Sequence, residues 1–94
     1  MRLNEIIWLD TVVDKLARKH AVRTDEVEEI LRNKPRFRFA KKGNRGGEDV
    51  YMALGQTDAG RYLTVLFIYK LNSDALILSA RDMIRSERKR YEQK

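Results

Sequence analysis

The sequence predicts an α+β fold in which two N-terminal helices and a C-terminal helix accompany an antiparallel meander of about four strands. Apolar residues recur at helical spacing up to Pro35 and at strand spacing after it. From Arg81 the chain is polar and returns to helical spacing. A length of 94 residues leaves little room for two hydrophobic cores, so residues 1–94 are expected to form one domain.

The first helix is predicted from about Asp10 to about His20. Residues 5–9 precede it and have the composition of a short strand or an extended arm. Asp10 or Thr11 is expected to cap the helix, because either side chain can accept a hydrogen bond from a free N–H group of the first turn. Apolar and charged residues then fall on opposite sides, which indicates a helix that packs on a sheet.

The second helix is predicted to begin at Thr24, which is suited to cap it. Asp25 and Glu26 follow in the first turn, where carboxylates complement the positive end of the helix dipole. Because this position favours acidic residues in any helix, the acidic cluster is not interpreted as a metal site. Asn33 and Pro35 are expected to end the helix.

The second part of the chain follows the two-residue period of β-strands. Arg36 and Arg38 alternate with Phe37 and Phe39, so the arginines are expected on one face of a strand and core phenylalanines on the other. The predicted strands cover residues 36–40, 49–56, 61–69 and 75–80, with a glycine-rich loop at 41–48 and a terminal helix at 81–92.

The net charge of +6 is unevenly distributed along the chain. Residues 1–35 carry seven Lys/Arg and seven Asp/Glu, whereas residues 36–94 carry thirteen and seven. A one-sided basic field favours polyanions such as RNA, because each neutralised phosphate releases condensed counterions. The alternative is a solvated surface that only maintains solubility.

Cysteine and histidine usage excludes two classes of protein. The chain has no Cys and one His, so neither a disulfide framework nor a Cys/His zinc site can be assembled. It also lacks an apolar run long enough to span a bilayer, and Glu5 and Asp10 interrupt the N-terminal stretch where a signal peptide would be apolar. A cytoplasmic protein without membrane association is therefore expected.

Several short strings lie in a consistent order from about Trp8 to Glu92: Lys19–Val22, Asp25–Val27, Ala53–Thr57, Gly60–Leu63, Leu76–Arg81 and Glu87–Glu92. Taken together, they resemble the BrnT toxin family. Two positions depart from the family pattern: Ala21 stands where Gly is usual, and the strand entered at Glu48 lacks a common Arg, which removes one expected phosphate contact.

The resemblance implies a RelE-like fold and the toxin of a type II toxin-antitoxin pair. It implies a metal-independent ribonuclease that cleaves RNA, inhibits translation and uses no cofactor. The implied partner is a BrnA-like antitoxin whose ribbon-helix-helix part binds operator DNA, so the toxin would meet DNA only through that antitoxin. The rival hypotheses are a non-catalytic basic module that binds RNA or the ribosome, and a structural partner that docks an acidic protein.

Five residues are candidates for the chemistry. Arg61 and Arg81 offer guanidinium groups to a phosphate and are expected to meet in one pocket. The alternative for each is a surface salt bridge or a charged residue that protects a strand edge. His20 is either a general acid or base or a helix-end cap. Glu87 either orients Arg88 or acts as a base. Tyr91 either stacks on an RNA base or donates a proton, or it packs in the core.

The candidate RNA-binding residues are basic side chains of the terminal helix and of the first long strand. A basic helix of this density either follows phosphates or forms a solvated helix end. The set comprises Arg85, Arg88, Lys89, Arg90, Arg36 and Arg38.

Overall fold

The computed structural model describes residues 1–93, which form a five-stranded mixed sheet with helices on both faces. The order of strands across the sheet is β1-β5-β4-β3-β2. The predicted antiparallel meander is present as β2 to β5, and β4, the most apolar strand, is central as its sequence indicates. The strands are β1 Ile6–Ile7, β2 Arg36–Lys41, β3 Asp49–Gln56, β4 Tyr62–Tyr69 and β5 Ala75–Asp82.

The pairing of β1 was not predicted. This short strand lies parallel to β5, with Ile6 opposite Ala75 and Ile7 opposite Leu76. The sheet is therefore mixed and five-stranded, where the sequence predicts about four antiparallel strands. A two-residue strand has no periodicity of its own, so its partner is fixed by tertiary contacts alone.

The helices lie close to their predicted positions. Helix α1 spans Asp10–Lys15 and continues into a π-helical turn at Leu16–His20, helix α2 spans Thr24–Arg32 and helix α3 spans Arg85–Glu92. Within residues 1–93, no helix is long and apolar enough to cross a membrane.

The predicted N-caps are wrong. Leu9 occupies the N-cap position of α1 and Arg23 that of α2, and neither supplies a side-chain cap. The Glu26 carboxylate takes over this function in α2, because its Oε1 accepts a hydrogen bond from the Arg23 N–H group at 3.0 Å.

The core face of the sheet packs against α1, the π-helical turn and α2. Gly55 of β3 allows a close approach there, since a Cβ atom at this position would lie 3.0 Å from the Cβ atom of Ile30. The cluster of fully buried side chains comprises Leu16, Val22, Val27, Ile30, Ala53, Leu63, Val65, Phe67, Ala75, Ile77 and Ala80.

The opposite face, here called the outer face, is covered by α3 at one end only. Leu54 and Thr64 are fully buried at that end. Farther along the strands, the outer face carries a group of apolar side chains that are only partly buried and do not pack against the core cluster. We call this group the apolar floor; it consists of Val50, Met52, Leu66, Ile68 and Leu76.

Two details of the predicted strands are corrected. Arg81 belongs to β5, which extends to Asp82, so the terminal helix begins at Arg85 and not at Arg81. Phe37 packs edge-on against Phe67 as a core residue, but Phe39 is 56% exposed. Phe39 lies near the end of β2, an edge strand of the sheet, and its ring packs edge-on against Tyr51.

Candidate functional site

Arg81 and Glu87 form a bidentate ion pair between the end of β5 and the first turn of α3. The Arg81 Nη1 and Nη2 atoms lie 2.7 and 2.8 Å from Glu87 Oε1 and Oε2. The two side chains are 33% and 12% exposed, so one side of the guanidinium remains open to solvent. This geometry fixes the plane of the guanidinium.

Glu87 receives two further hydrogen bonds. The buried Thr64 hydroxyl donates to its Oε1 at 2.8 Å, and the Ile84 N–H group donates to the same atom at 3.0 Å. The hydrogen bonds from Arg81, followed by those from the Ile84 N–H group and Thr64, outweigh partial burial and lower the pKa of Glu87 to about 2. Glu87 is therefore an ionised acceptor at neutral pH, and it contacts Arg81 where the sequence suggested Arg88.

An aromatic and cationic group continues the site along α3. The guanidinium carbon of Arg88 lies 4.0 Å from the ring centroid of Tyr62, within the range of cation–π attraction. The rings of Tyr62 and Tyr91 meet edge-on at 6.0 Å between centroids. Tyr91 thus packs on the outer face with part of its surface exposed, beside the pair of Arg81 and Glu87.

The solvent side of α3 is basic. Arg85, Arg88, Lys89 and Glu92 line a surface depression of about 270 Å³. Arg85, Lys89 and Arg90 are exposed, and none of them forms an ion pair within residues 1–93. These free cations are available for an anionic ligand.

The arginines of β2 lie on the same face as the α3 site. Arg36 is opposite Leu54 and Arg38 is opposite Met52, and both arginines are exposed. Since side chains alternate along a strand, both point to the outer face. The predicted separation from Phe37 and Phe39 is confirmed.

Arg61 belongs to a different cluster. Its Nε donates to Asp82 Oδ1 at 2.8 Å, and its Nη1 to Glu26 Oε1 at 3.2 Å and to the Ala21 carbonyl at 2.7 Å. Its Nη2 donates to the His20 carbonyl at 3.0 Å and to Asp82 Oδ2 at 3.3 Å. All five donors of this guanidinium are thus used within the protein.

Arg61 and Arg81 do not meet in one pocket, contrary to the expectation from sequence. Arg81 is opposite Thr64 and Asp82 is opposite Leu63, a core residue. Neighbouring residues of a strand point to opposite faces, so Arg81 points to the outer face and Asp82, with Arg61, to the side of the helix layer. His20 belongs to the Arg61 cluster as well, because its carbonyl accepts a hydrogen bond from Arg61 Nη2 at 3.0 Å.

The sequence analysis missed Thr64 and Tyr62. Both alternate with the core residues of β4, and this parity places them on the outer face. The sequence did contain one signal for Thr64, because this polar residue interrupts the apolar run of β4. Within residues 1–93, no three His, Cys, Asp or Glu side chains are grouped so that they could hold a metal ion.

These features define a small α+β protein with an arginine-centred site on one sheet face and a basic helix beside it. Residues 8–87 match the family described as the ribonuclease toxin BrnT of type II toxin-antitoxin systems. The chain belongs to this family. It is thus a ribonuclease toxin whose substrate is RNA and whose partner is an antitoxin. A comparison with curated proteins gives no match.

Proposed function

We propose that the protein is a metal-independent endoribonuclease that inhibits translation and cleaves RNA on the outer face, next to Arg81. The observation that supports this site best is the bidentate pair of Arg81 and Glu87, which orients a partly exposed guanidinium beside the free cations of α3. A fixed planar donor of this kind suits phosphate oxygens.

The proposed chemistry is attack of a ribose 2′-hydroxyl on the adjacent phosphate, which breaks the bond to the 5′-oxygen of the next nucleotide and leaves a 2′,3′-cyclic phosphate and a 5′-hydroxyl. Without a metal ion, the protein must align the backbone, stabilise the added negative charge and move two protons. Arg81 would contact the phosphate through the side of its guanidinium that faces solvent. Arg85, Arg88 and Lys89 would hold neighbouring phosphates along α3, with Arg90 at its end.

Glu87 is proposed to position Arg81 and not to act as the base. A carboxylate with a pKa of about 2 is too weak a base to accept a proton at neutral pH. Tyr91 remains the candidate for base stacking or proton donation on this face. For Arg61 the contacts favour a structural role, because all of its donors are engaged. For His20 a direct role next to Arg81 is disfavoured by its position in the Arg61 cluster, where its carbonyl accepts one of these donors.

Arg36 and Arg38 are proposed to extend the RNA path across the sheet. They share the outer face with Arg81 but lie on the edge strand β2. This arrangement would guide a single strand from α3 toward β2. Its backbone contacts would be electrostatic and would not depend on base identity.

We further propose that residues 1–94 form one cytoplasmic domain of RelE-like architecture. The antiparallel meander with a short terminal helix across one face supports this assignment. The antitoxin is proposed to be BrnA-like, with a ribbon-helix-helix part that carries the complex to operator DNA.

RNA degradation in excess chelator tests this function. We expect the purified protein to cleave RNA under these conditions and Arg81→Ala to lower the rate by about 100-fold or more, because a phosphate contact in the transition state is lost. Arg32→Ala, at an exposed position of α2, is the matched control and should stay near the wild-type rate.

Two outcomes would contradict the proposal. Equal rates for Arg81→Ala and wild type would remove Arg81 from the reaction. RNA binding that weakens with salt but is never followed by cleavage would favour the non-catalytic RNA- or ribosome-binding module.

A further inference from the structure

The apolar floor on the outer face lacks a covering element within residues 1–93. Its five side chains are partly exposed and lie side by side in the sheet, with Val50 opposite Ile68 and Met52 opposite Leu66. Leu76 extends the floor onto β5, opposite Ile68. Helix α3 has eight residues and buries only the far end of this face, at Leu54 and Thr64.

A row of cations borders the floor on the edge strand β2. Arg38 is opposite Met52, and Lys41 is opposite Val50 across the bulge. Arg36 continues the row toward α3. All three are exposed, and none forms an ion pair within residues 1–93. The surface therefore combines a contiguous apolar centre with unneutralised positive charge along one side.

We propose that the apolar floor is the docking surface of the antitoxin, and that it takes an amphipathic segment with apolar residues on one side and acidic residues on the other. The apolar side would bury Val50, Met52, Leu66, Ile68 and Leu76, while the acidic side would meet Arg36, Arg38 and Lys41. This inference rests on the proposed function, because the site that the bound segment would block is the RNA-cleavage site proposed next to Arg81.

The chemistry of the floor favours a protein over RNA as its occupant. The side chains are aliphatic or thioether, and no aromatic ring is present among them on which a base could stack. A second copy of this chain is also disfavoured, because two floors facing each other would bring two rows of cations together.

Docking on the floor would account for inhibition by steric and electrostatic exclusion. Leu66 is two residues from Thr64, which donates to Glu87 in the proposed cleavage site. A segment that lies on Leu66 and neutralises Arg38 would cover the path proposed for RNA between β2 and α3. The antitoxin would thereby block substrate without touching the ion pair of Arg81 and Glu87.

Titration calorimetry with the cognate antitoxin and the full toxin chain tests the docking surface. Met52→Glu and Leu66→Glu should each raise Kd by about 100-fold, because a buried carboxylate would face an apolar and acidic segment. Leu71→Glu introduces the same charge at a residue that is 86% exposed outside the floor, and it should stay within about threefold of wild type. Arg38→Glu should raise Kd by about tenfold and reduce its dependence on salt.

The same measurements show whether the apolar floor binds something other than the antitoxin. Antitoxin affinity within threefold of wild type for both floor variants would overturn the proposal, whether or not RNA binding is lost in them. A wild-type toxin that forms dimers, and floor variants that are monomers with unchanged antitoxin affinity, would assign the floor to a second copy and would also overturn it. Fluorescence of Trp8 during urea unfolding confirms that each variant is folded.

The antitoxin titration and the RNA-cleavage assay can fail independently of each other. A toxin without RNase activity in chelator would contradict the proposed cleavage mechanism, yet the titration would still locate the antitoxin. Conversely, intact cleavage with unchanged antitoxin affinity in both floor variants would contradict the docking surface alone.

Discussion

Glu87 is the residue that connects strand β5, strand β4 and helix α3. It accepts from Arg81, Thr64 and the Ile84 N–H group, so these three segments meet at one carboxylate. Its side chain is 12% exposed, and replacement by a neutral group would leave the Arg81 guanidinium without its partner. The orientation of the proposed catalytic arginine therefore depends on a residue that carries no proton at neutral pH.

We predict that Glu87→Gln destabilises the protein by about 2 kcal/mol at pH 7, less than the full pKa shift would give, because solvent screens part of the interaction. The folded-state pKa of about 2 lies below the ordinary value of 4.5, so this stabilisation is present above pH 4.5 and is lost as the pH falls toward 2. Urea unfolding of both proteins between pH 2 and pH 7, followed by Trp8 fluorescence, measures the difference.

Glu5→Gln is the control for this experiment, because Glu5 is exposed and its substitution removes the same charge. It should change the free energy of unfolding by less than about 0.5 kcal/mol. A difference between wild type and Glu87→Gln that is independent of pH across this range would show that the carboxylate does not hold its charge by pairing with Arg81.

At the scale of elements, the first helical segment ends at Ala21, where the resemblance to the BrnT family implies a Gly. Ala21 has a φ of 51° and lies in the left-handed region directly after the π-helical turn. The Val22 N–H group donates to the Leu16 carbonyl at 3.1 Å, which closes the end of the helix. This conformation favours Gly over Ala at this position, because Gly adopts it without steric cost.

Ala21→Gly should stabilise the protein by about 0.5 to 1 kcal/mol, since relief of the left-handed conformation outweighs the greater entropy of Gly in the unfolded chain. Ala59→Gly is the matched control: Ala59 is exposed in the turn after β3 and is not among the residues with positive φ. It should be neutral or destabilising. Thermal unfolding of both variants provides the comparison, and equal destabilisation in both would contradict the assignment.

Arg61 joins three elements on the side of the helix layer. It connects the His20 and Ala21 carbonyls at the end of the π-helical turn with Glu26 of α2 and Asp82 of β5. We predict that Arg61→Ala lowers the free energy of unfolding by about 2 kcal/mol, because two carboxylates and two carbonyls lose their donor.

The RNase assay then distinguishes a structural role of Arg61 from a role in RNA cleavage. At a temperature where the variant is folded, Arg61→Ala should retain RNA cleavage within about tenfold of wild type. A stable Arg61→Ala protein with no cleavage would return this arginine to the reaction and would contradict the role proposed for it.

The sequence predicted the elements whose positions are set by local residue patterns, and it missed the features that are set by contacts between distant segments. The alternation in β2 and β3 and the apolar run of β4 predicted their positions closely, because burial on a sheet face leaves a direct pattern. The pairing of Ile6 with Ala75 left none, since it joins distant segments. The separation of Arg61 from Arg81 was missed for a related reason: Arg61 precedes β4, and its direction is set by Asp82 and the helix end.

For the whole molecule, the two faces of the sheet have different functions. The core face packs against α1, the π-helical turn and α2 and holds the main hydrophobic cluster and the Arg61 cluster. The outer face holds the arginine-centred site, the basic helix and the apolar floor, and it carries the proposed contacts with RNA and antitoxin. The positive charge of residues 36–94 is thus exposed mainly on the outer face, at β2 and α3.

The most direct measurement of this division is NMR chemical-shift mapping with a 2′-O-methyl RNA oligonucleotide, which binds but lacks the attacking hydroxyl. The account predicts that the largest perturbations occur at Thr64, Arg81 and residues 85–91, with smaller ones at Arg36 and Arg38. Perturbations concentrated at His20, Arg61 and Asp82, with α3 unaffected, would contradict it.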